Sequence, residues 1–403
     1  MSVKEKFLKY VKIDTTSDEN SLSYPSTPSQ TELLKILKGE LESLGVKAEM
    51  DEYCYVTAIV EGKNKKAPKI AFLAHVDTSS AVSGKVNPIS RIYKGGDIEL
   101  GSGIKIAVKD NPDLLEYIGE DIITSDGSSL LGADDKAGVA EIMEAVEYLV
   151  NHPDDNRGDV YIAFTPDEEI GRGPDYFDVK KFGADFGYTL DGGKTGEIEY
   201  ENFNAASGKI TIKGKSIHPG NAKNKMVNAV DVFNEFHNLL PLNERPCFTE
   251  KYEGFYMIDY VSGGIDELSA KYIIRDHDKE KLEKRKAYFA SAAEFINRKY
   301  GYEVIKAEVK DSYYNMAEII KKHFHLVESA KEAFLSIGVE PRVIPIRGGT
   351  DGAMLSHKGL PCPNLSTGGF NFHGQMEYIP VSEMEKMVKV VLKLVDIYSQ
   401  KNF

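Results

Sequence analysis

Three short apolar runs in this chain each deliver a carboxylate or a histidine at their end: KIAFLAHVD (69–77), VYIAFTPDEE (160–169) and FGYTLDGG (186–193). Apolar runs of this length, bounded by breakers such as Pro68, read as buried strands. Helical patterns lie before and between them. TELLKILKGELESLGV carries Leu33, Leu34, Leu37, Leu41 and Leu44 on one face, with Gly45 as a stop; DKAGVAEIMEAVEYLV is amphipathic. Strands separated by helices predict an α/β fold with a mainly parallel sheet. In open α/β sheets, sites form beyond the carboxyl ends of the strands, which is where these polar groups fall.

The chain has 403 residues, long for a single core and suited to two domains. Its pattern changes near residue 206. SGKITIKGKSI alternates like a half-buried strand, and NKMVNAVDVFNEFHNLL is helical. GFYMIDYVSGGIDELSAKYIIRD gives two strands around Gly263-Gly264, followed by a long helix and the strand YEVIKAEVKD. The order βαββαβ predicts a ferredoxin-like domain over 206–312, inserted into a catalytic domain made of 1–205 and 313–403.

A net charge of −13 argues against a nucleic-acid binder, which carries a basic face. No run approaches the length of a membrane span. The N-terminus lacks the uninterrupted apolar stretch of a signal peptide. Cys54, Cys247 and Cys362 are odd in number and show no CxxC spacing, as expected of reduced thiols in a cytoplasmic protein.

Several residue groups offer metal or acid–base chemistry. His75 and Asp77 are two apart in a strand and point to one side, so the acid can orient the imidazole. Asp134-Asp135 precedes a helix, Asp167 to Glu169 follow a strand, Asp191 ends another, and His373 sits in the Gly-rich GGFNFHGQ. Taken singly, each has an ordinary structural explanation: a helix cap, a turn, a loop histidine. Taken together they are a His/carboxylate set that zinc accepts. Five ligands plus a spare acid fit two metals sharing a bridging carboxylate. Asp77, Asp134, Glu168, Glu169 and Asp191 bring five negative charges, which two divalent ions nearly balance.

At these residues the chain resembles the co-catalytic zinc peptidases that include aminoacylases, dipeptidases and glutamate carboxypeptidases. HVD, GADDKAG, DEE and the late FHG match its motifs in order. The closer likeness is to the tripeptide aminopeptidases of that family, through LLGADDKAGVAEIM, AFTPDEE, YTLDGG, ENFNAAS, HPG, YEGFY, YIIRD, KDSYYNM, PIRGGTDGA and GLPCPNL. The likeness covers nearly the whole chain.

The resemblance implies that His75, Asp134 and Asp191 hold one zinc and that Asp134, Glu169 and His373 hold the other. Cobalt or manganese would suit the same ligands. It further implies that Asp77 orients His75, that Glu168 is the general base, and that a cis peptide follows Asp134. The implied activity is hydrolysis of the N-terminal peptide bond of tripeptides; a dipeptidase, carboxypeptidase or deacylase of the same family is the alternative. His218 in HPG, Arg275 in YIIRD and Arg347 before Gly348-Gly349 are the candidate substrate-binding residues. Each Arg is suited to capture a peptide's C-terminal carboxylate; Arg275 has a salt bridge to Asp276 or Asp278 as its structural alternative. The expected partner is a small peptide, with neither nucleic acid nor membrane, and the inserted domain leaves a homodimer open.

Overall fold

A computed structural model describes residues 1–101, 103–153 and 156–400; residues 401–403, the end of the expected catalytic portion, lie outside the described residues. The chain forms two compact units. The first comprises Met1–Tyr200, Glu318–Ile344 and Thr350–Phe403, the second Glu201–Ala317 and Pro345–Gly349.

The first unit is built on an eight-stranded sheet. Its strand order is Ala48–Met50, Val56–Val60, Val160–Thr165, Ile70–His75, Phe186–Gly192, Asn364–Ser366, Glu197–Glu199, Arg342–Val343. The four central strands run parallel to one another. Every residue of Ile70–His75 and of Val160–Thr165 is buried. That explains why the sequence shows continuous apolar runs rather than alternation: a parallel strand covered by helices on both faces has no solvent side.

Helix Ala133–Asn151 packs on strand Ile70–His75 and against Val3–Tyr10 and Val381–Gln400. Helix Pro28–Ser43 buries Leu33, Leu34, Leu37 and Leu41. It stops where Gly45 adopts φ +82°, a left-handed conformation that glycine takes without strain. A three-stranded sheet of Tyr378–Pro380, Asp121–Thr124 and Ile89–Ile92 encloses a small second core with Tyr93, Ile98, Ile106, Leu114, Tyr117, Ile122 and Tyr378.

The second unit has strands Asn204–Lys213, Phe255–Gly263, Glu267–Asp276 and Ile305–Tyr313, with helices Ala229–Leu239 and Lys279–Tyr300. The element order is βαββαβ and every strand pairing is antiparallel, the ferredoxin-like arrangement. Ile210, Ile212, Val232, Phe236, Tyr272, Ile274, Leu282 and Phe289 form its core. Residues along Glu267–Asp276 alternate between buried and less buried, as expected of a sheet covered on one face. The predicted fold, a mainly parallel α/β unit with an inserted ferredoxin-like unit, is the observed one.

Asparagines close the second unit where the chain enters and leaves it. Asn202 Oδ1 accepts the Met316 N–H at 2.7 Å, and Asn204 Oδ1 accepts the Asn315 N–H at 2.9 Å. The later segment Pro345–Gly349 joins them: the Ile346 N–H donates to Glu201 O at 2.8 Å. The Arg347 guanidinium lies 5.1 Å from the Phe203 ring centre and 5.7 Å from that of Phe255.

Candidate active site

The carboxyl ends of three adjacent parallel strands converge in the first unit. His75 is the last residue of its strand and lies in register with Thr165. Glu168 and Glu169 follow Thr165 in a short 3-10 turn, and Asp191 is the penultimate residue of Phe186–Gly192. Asp134 comes from the irregular first turn of helix Ala133–Asn151, where the Asp134–Asp135 peptide is cis. His373 lies on the loop 370–378 with φ +61°.

These elements bring together all five expected ligands. Asp134 Oδ1 lies 3.0 Å from His75 Nε2, and its Oδ2 lies 3.0 Å from His373 Nε2. Asp191 Oδ1 is 3.4 Å from His75 Nε2. Glu169 Oε1 is 3.0 Å from His373 Nε2 but makes no hydrogen bond of acceptable geometry. Ligand atoms of His75, Glu168 and Asp191, and of His75, Asp134 and Glu169, lie within 4.8 Å of one another. Two donors about 2.1 Å from one tetrahedral ion stand roughly 3.3 Å apart, so these spacings fit ligands facing a common centre.

The donor chemistry also fits a cation. His75 Nδ1 is 3.1 Å from the carbonyl oxygen of Asp77, which can only accept, so Nδ1 carries the proton. Nε2 of the neutral ring is then a bare lone pair aimed at two carboxylate oxygens. Only a proton or a metal ion reconciles three acceptors, and a ring fixed through its far nitrogen is how metal-bound histidines are held.

The electrostatics agree. Burial pushes the Asp191 carboxyl up to about 6 and that of Glu169 to about 7. Burial, with the charge of Asp191 beside it, raises Glu168 well above the usual carboxylate range. Burial also opposes the charge on Asp134, but hydrogen bonds from His373 and His75 outweigh it and hold that carboxyl low. Divalent charge at the centre would keep the whole set ionised.

Asp77 is fully buried, and its strongest bonds do not go to His75. Its Oδ1 accepts the Glu168 N–H at 2.9 Å and its Oδ2 the Glu169 N–H at 3.1 Å. Nδ1 of His75 lies 3.3 Å from Oδ1. One carboxylate therefore ties the His75 strand to the turn that carries both glutamates.

Four further acids support the site: Asp135 and Asp167, which the sequence set beside it without a defined role, and Asp351 and Glu377, which it did not single out. Asp167, at φ +61°, accepts from Ser26 N at 2.7 Å and from Gln30 Nε2 at 2.7 Å, fastening the turn to helix Pro28–Ser43. Asp135 Oδ2 accepts the His75 N–H at 3.2 Å. Gly138, one helical turn on, leaves no room for a side chain: a Cβ there would lie 2.2 Å from Leu190 O. Asp351 accepts from Thr165 Oγ1 at 2.8 Å. Glu377 accepts three backbone N–H groups around Asp134. The signals available were the second Asp of the pair, the TDG after Gly348-Gly349, and an acid four residues past His373.

The three expected substrate-binding residues belong to the second unit. His218 is exposed, and its Nδ1 accepts the Gly220 N–H at 3.2 Å. Arg275 donates from Nη1 to Ala206 O at 3.2 Å and Ile274 O at 3.0 Å, with Tyr313 beneath its guanidinium. Asp276 bonds to Arg285 instead. Arg347 donates from Nη1 to Lys251 O and Glu253 O and from Nη2 to Thr249 Oγ1.

Residues 130–397 match the profile of peptidase family M20/M25/M40. The chain belongs to this family. Similar full-length relatives are called peptidase T. That of Caldanaerobacter subterraneus subsp. tengcongensis is 54% identical, covering 99% of both chains. That of Clostridium perfringens strain 13 is 52% identical over the same share. Among solved structures, an aminopeptidase PepT from Bacillus cereus superposes with a TM-score of 0.78 at 25% identity, covering 99% of this chain and 98% of the other. An M20-family dinuclear metal-binding peptidase from Bacillus subtilis gives 0.65 at 16% identity, covering 98% and 97%, a likeness of fold. Among the described residues, no helix is long and apolar enough to cross a membrane.

Proposed function

We propose that this M20-family chain is an aminopeptidase that removes the N-terminal residue of tripeptides, using two divalent ions, read as zinc with cobalt or manganese as alternatives that suit the same ligands. The observation that carries the reading is Asp134, whose two carboxylate oxygens face two different histidines, His75 and His373, at 3.0 Å each. One acid with a nitrogen ligand at each end is what a bridged pair of ions requires. His75, Asp134 and Asp191 would hold one ion, and Asp134, Glu169 and His373 the other. Such a pair, when bound, acidifies a water and polarises the scissile carbonyl.

The protein's part is acid–base work and placement. Glu168 is the proton carrier. A buried carboxylate kept ionised beside the ions suits a base that takes a proton from water and returns it to the leaving nitrogen. Asp77 and Asp167 hold the backbone of the turn from which Glu168 projects. Arg275 is the stronger candidate for the peptide's C-terminal carboxylate. Its described bonds use Nη1 alone, whereas Arg347 engages both terminal nitrogens.

The relatives named peptidase T favour tripeptides over the dipeptidase, carboxypeptidase and deacylase alternatives. A peptide panel tests this. Free tripeptides should be cleaved at the first bond, while N-acetylated tripeptides and dipeptides should react at least tenfold more slowly. Glu168→Gln should keep two ions per chain and lose on the order of 10²–10⁴ in kcat. Equal rates on blocked and free N-termini would rule out the aminopeptidase reading, and a Glu168→Gln enzyme of near-normal kcat would rule out the base.

A further inference from the structure

The loop that carries His373 is closed on itself. Phe370 and Tyr378 exchange backbone hydrogen bonds at 2.9 and 3.1 Å, and their rings stack with centres 4.8 Å apart. Inside the loop, Asn371 Nδ2 donates to Met376 O at 3.0 Å and the Glu377 N–H donates to Gly374 O at 3.2 Å. Glu377 is 1% exposed. Its side chain leaves the loop and reaches the segment that presents Asp134. Oε2 accepts the N–H of Leu131 at 2.7 Å and of Gly132 at 2.8 Å, and Oε1 accepts the N–H of Asp134 itself at 3.1 Å.

A buried carboxylate needs strong donors, and three backbone amides converge on this one. The arrangement also has a geometric result. His373 and Asp134 are far apart in sequence, yet they must stand 3.0 Å apart to share an ion. Glu377 is four residues from one and bonded to the backbone of the other. It therefore fixes the distance between the loop ligand and the bridging ligand. Among the described residues its side-chain bonds are to that segment alone, and the spacing of the His75 and Asp191 strands is set by the sheet.

We propose that Glu377 is a positioning residue that selectively builds the ion site shared by Asp134, Glu169 and His373, leaving the His75–Asp191 site to be built by the strands. The proposal rests on the two-ion reading above. Glu377→Gln preserves shape but offers one accepting oxygen and one –NH2, so a donor must face at least one of the three amides. Outer-sphere partners of metal ligands typically change metal affinity or activity 10- to 100-fold.

The test is zinc binding to the metal-free full chain, by calorimetry with a competing chelator, with metal content checked by mass spectrometry. Wild type should take up two ions. Glu377→Gln should bind one as wild type does and the other 10- to 100-fold more weakly, and raised zinc should recover kcat at unchanged KM. Glu377→Asp, which keeps the charge on a shorter arm, should fall between. Thermal unfolding of the metal-free forms separates this role from a general loss of structure. Two sites of wild-type affinity in Glu377→Gln would overturn the proposal. So would equal weakening of both sites accompanied by a lowered metal-free melting temperature. A wild-type chain that binds fewer than two ions would overturn the two-ion reading itself, and this proposal with it.

Discussion

Asp77→Asn separates two roles that one carboxylate combines. Asp77 holds the Glu168 and Glu169 amides at 2.9 and 3.1 Å with different oxygens, and it is fully buried. An asparagine has one accepting oxygen. Whichever way it turns, one amide meets an –NH2 and is left unsatisfied in the interior. A hydrogen bond to a charged group contributes about 1.5–3 kcal/mol. Losing one and weakening the other from charged to neutral gives a cost of about 3 kcal/mol. Expressed in the transition state, that is on the order of 100-fold in kcat. The histidine should suffer less, because His75 Nδ1 also has the Asp77 backbone oxygen at 3.1 Å, which the substitution leaves in place. The assay is kcat and KM on a free tripeptide at saturating zinc, with bound metal counted in the same samples. The expected result is a large fall in kcat with two ions retained. A kcat within threefold of wild type would refute the anchoring role. Full recovery of kcat merely by raising zinc would show that Asp77 acts only through His75.

Two other substitutions test the surroundings. Burial raises the Glu199 carboxyl from 4.5 to about 8, so the folded chain keeps a proton that the unfolded chain releases between those values. Stability from this group is therefore present below about pH 4.5 and lost as pH rises towards 8. Glu199→Gln should gain in melting temperature over wild type as pH goes from 5 to 8, and a pH-independent difference would contradict the assignment. Arg275→Ala should raise KM about tenfold for free tripeptides and leave C-terminally amidated ones nearly unchanged; equal losses on both would exclude carboxylate capture.

The strand ends were legible because a doubly covered parallel strand writes itself as an uninterrupted apolar run, and the residue that breaks the run is the one that reaches the site. His75, Glu168, Glu169 and Asp191 were all visible in that way. The inserted unit was legible through its change to alternating strands. The small sheet of Ile89–Ile92, Asp121–Thr124 and Tyr378–Pro380 was not, since its strands are short and the third lies far along the chain. Glu377 and Asp351 were not legible either. An acid that accepts backbone amides from a segment some 240 residues away leaves no local pattern, because any residue but proline supplies the amide. Asp135 had the opposite difficulty: a cap explains an Asp before a helix, but here its carboxylate instead receives the His75 amide.

The second passage of the chain through the second unit changes what that unit is as a piece of protein. Its entering and leaving strands pair side by side, Ala205 opposite Tyr313, so the main insertion begins and ends at neighbouring points, as a transplantable cassette would. Pro345–Gly349 breaks that independence. Cut out alone, 201–317 would lose the guanidinium between Phe203 and Phe255 and the strand-like partner of Glu201. The chain thus crosses between the two units four times rather than twice, and recombination that exchanged only the contiguous stretch would deliver an incomplete module to its new host.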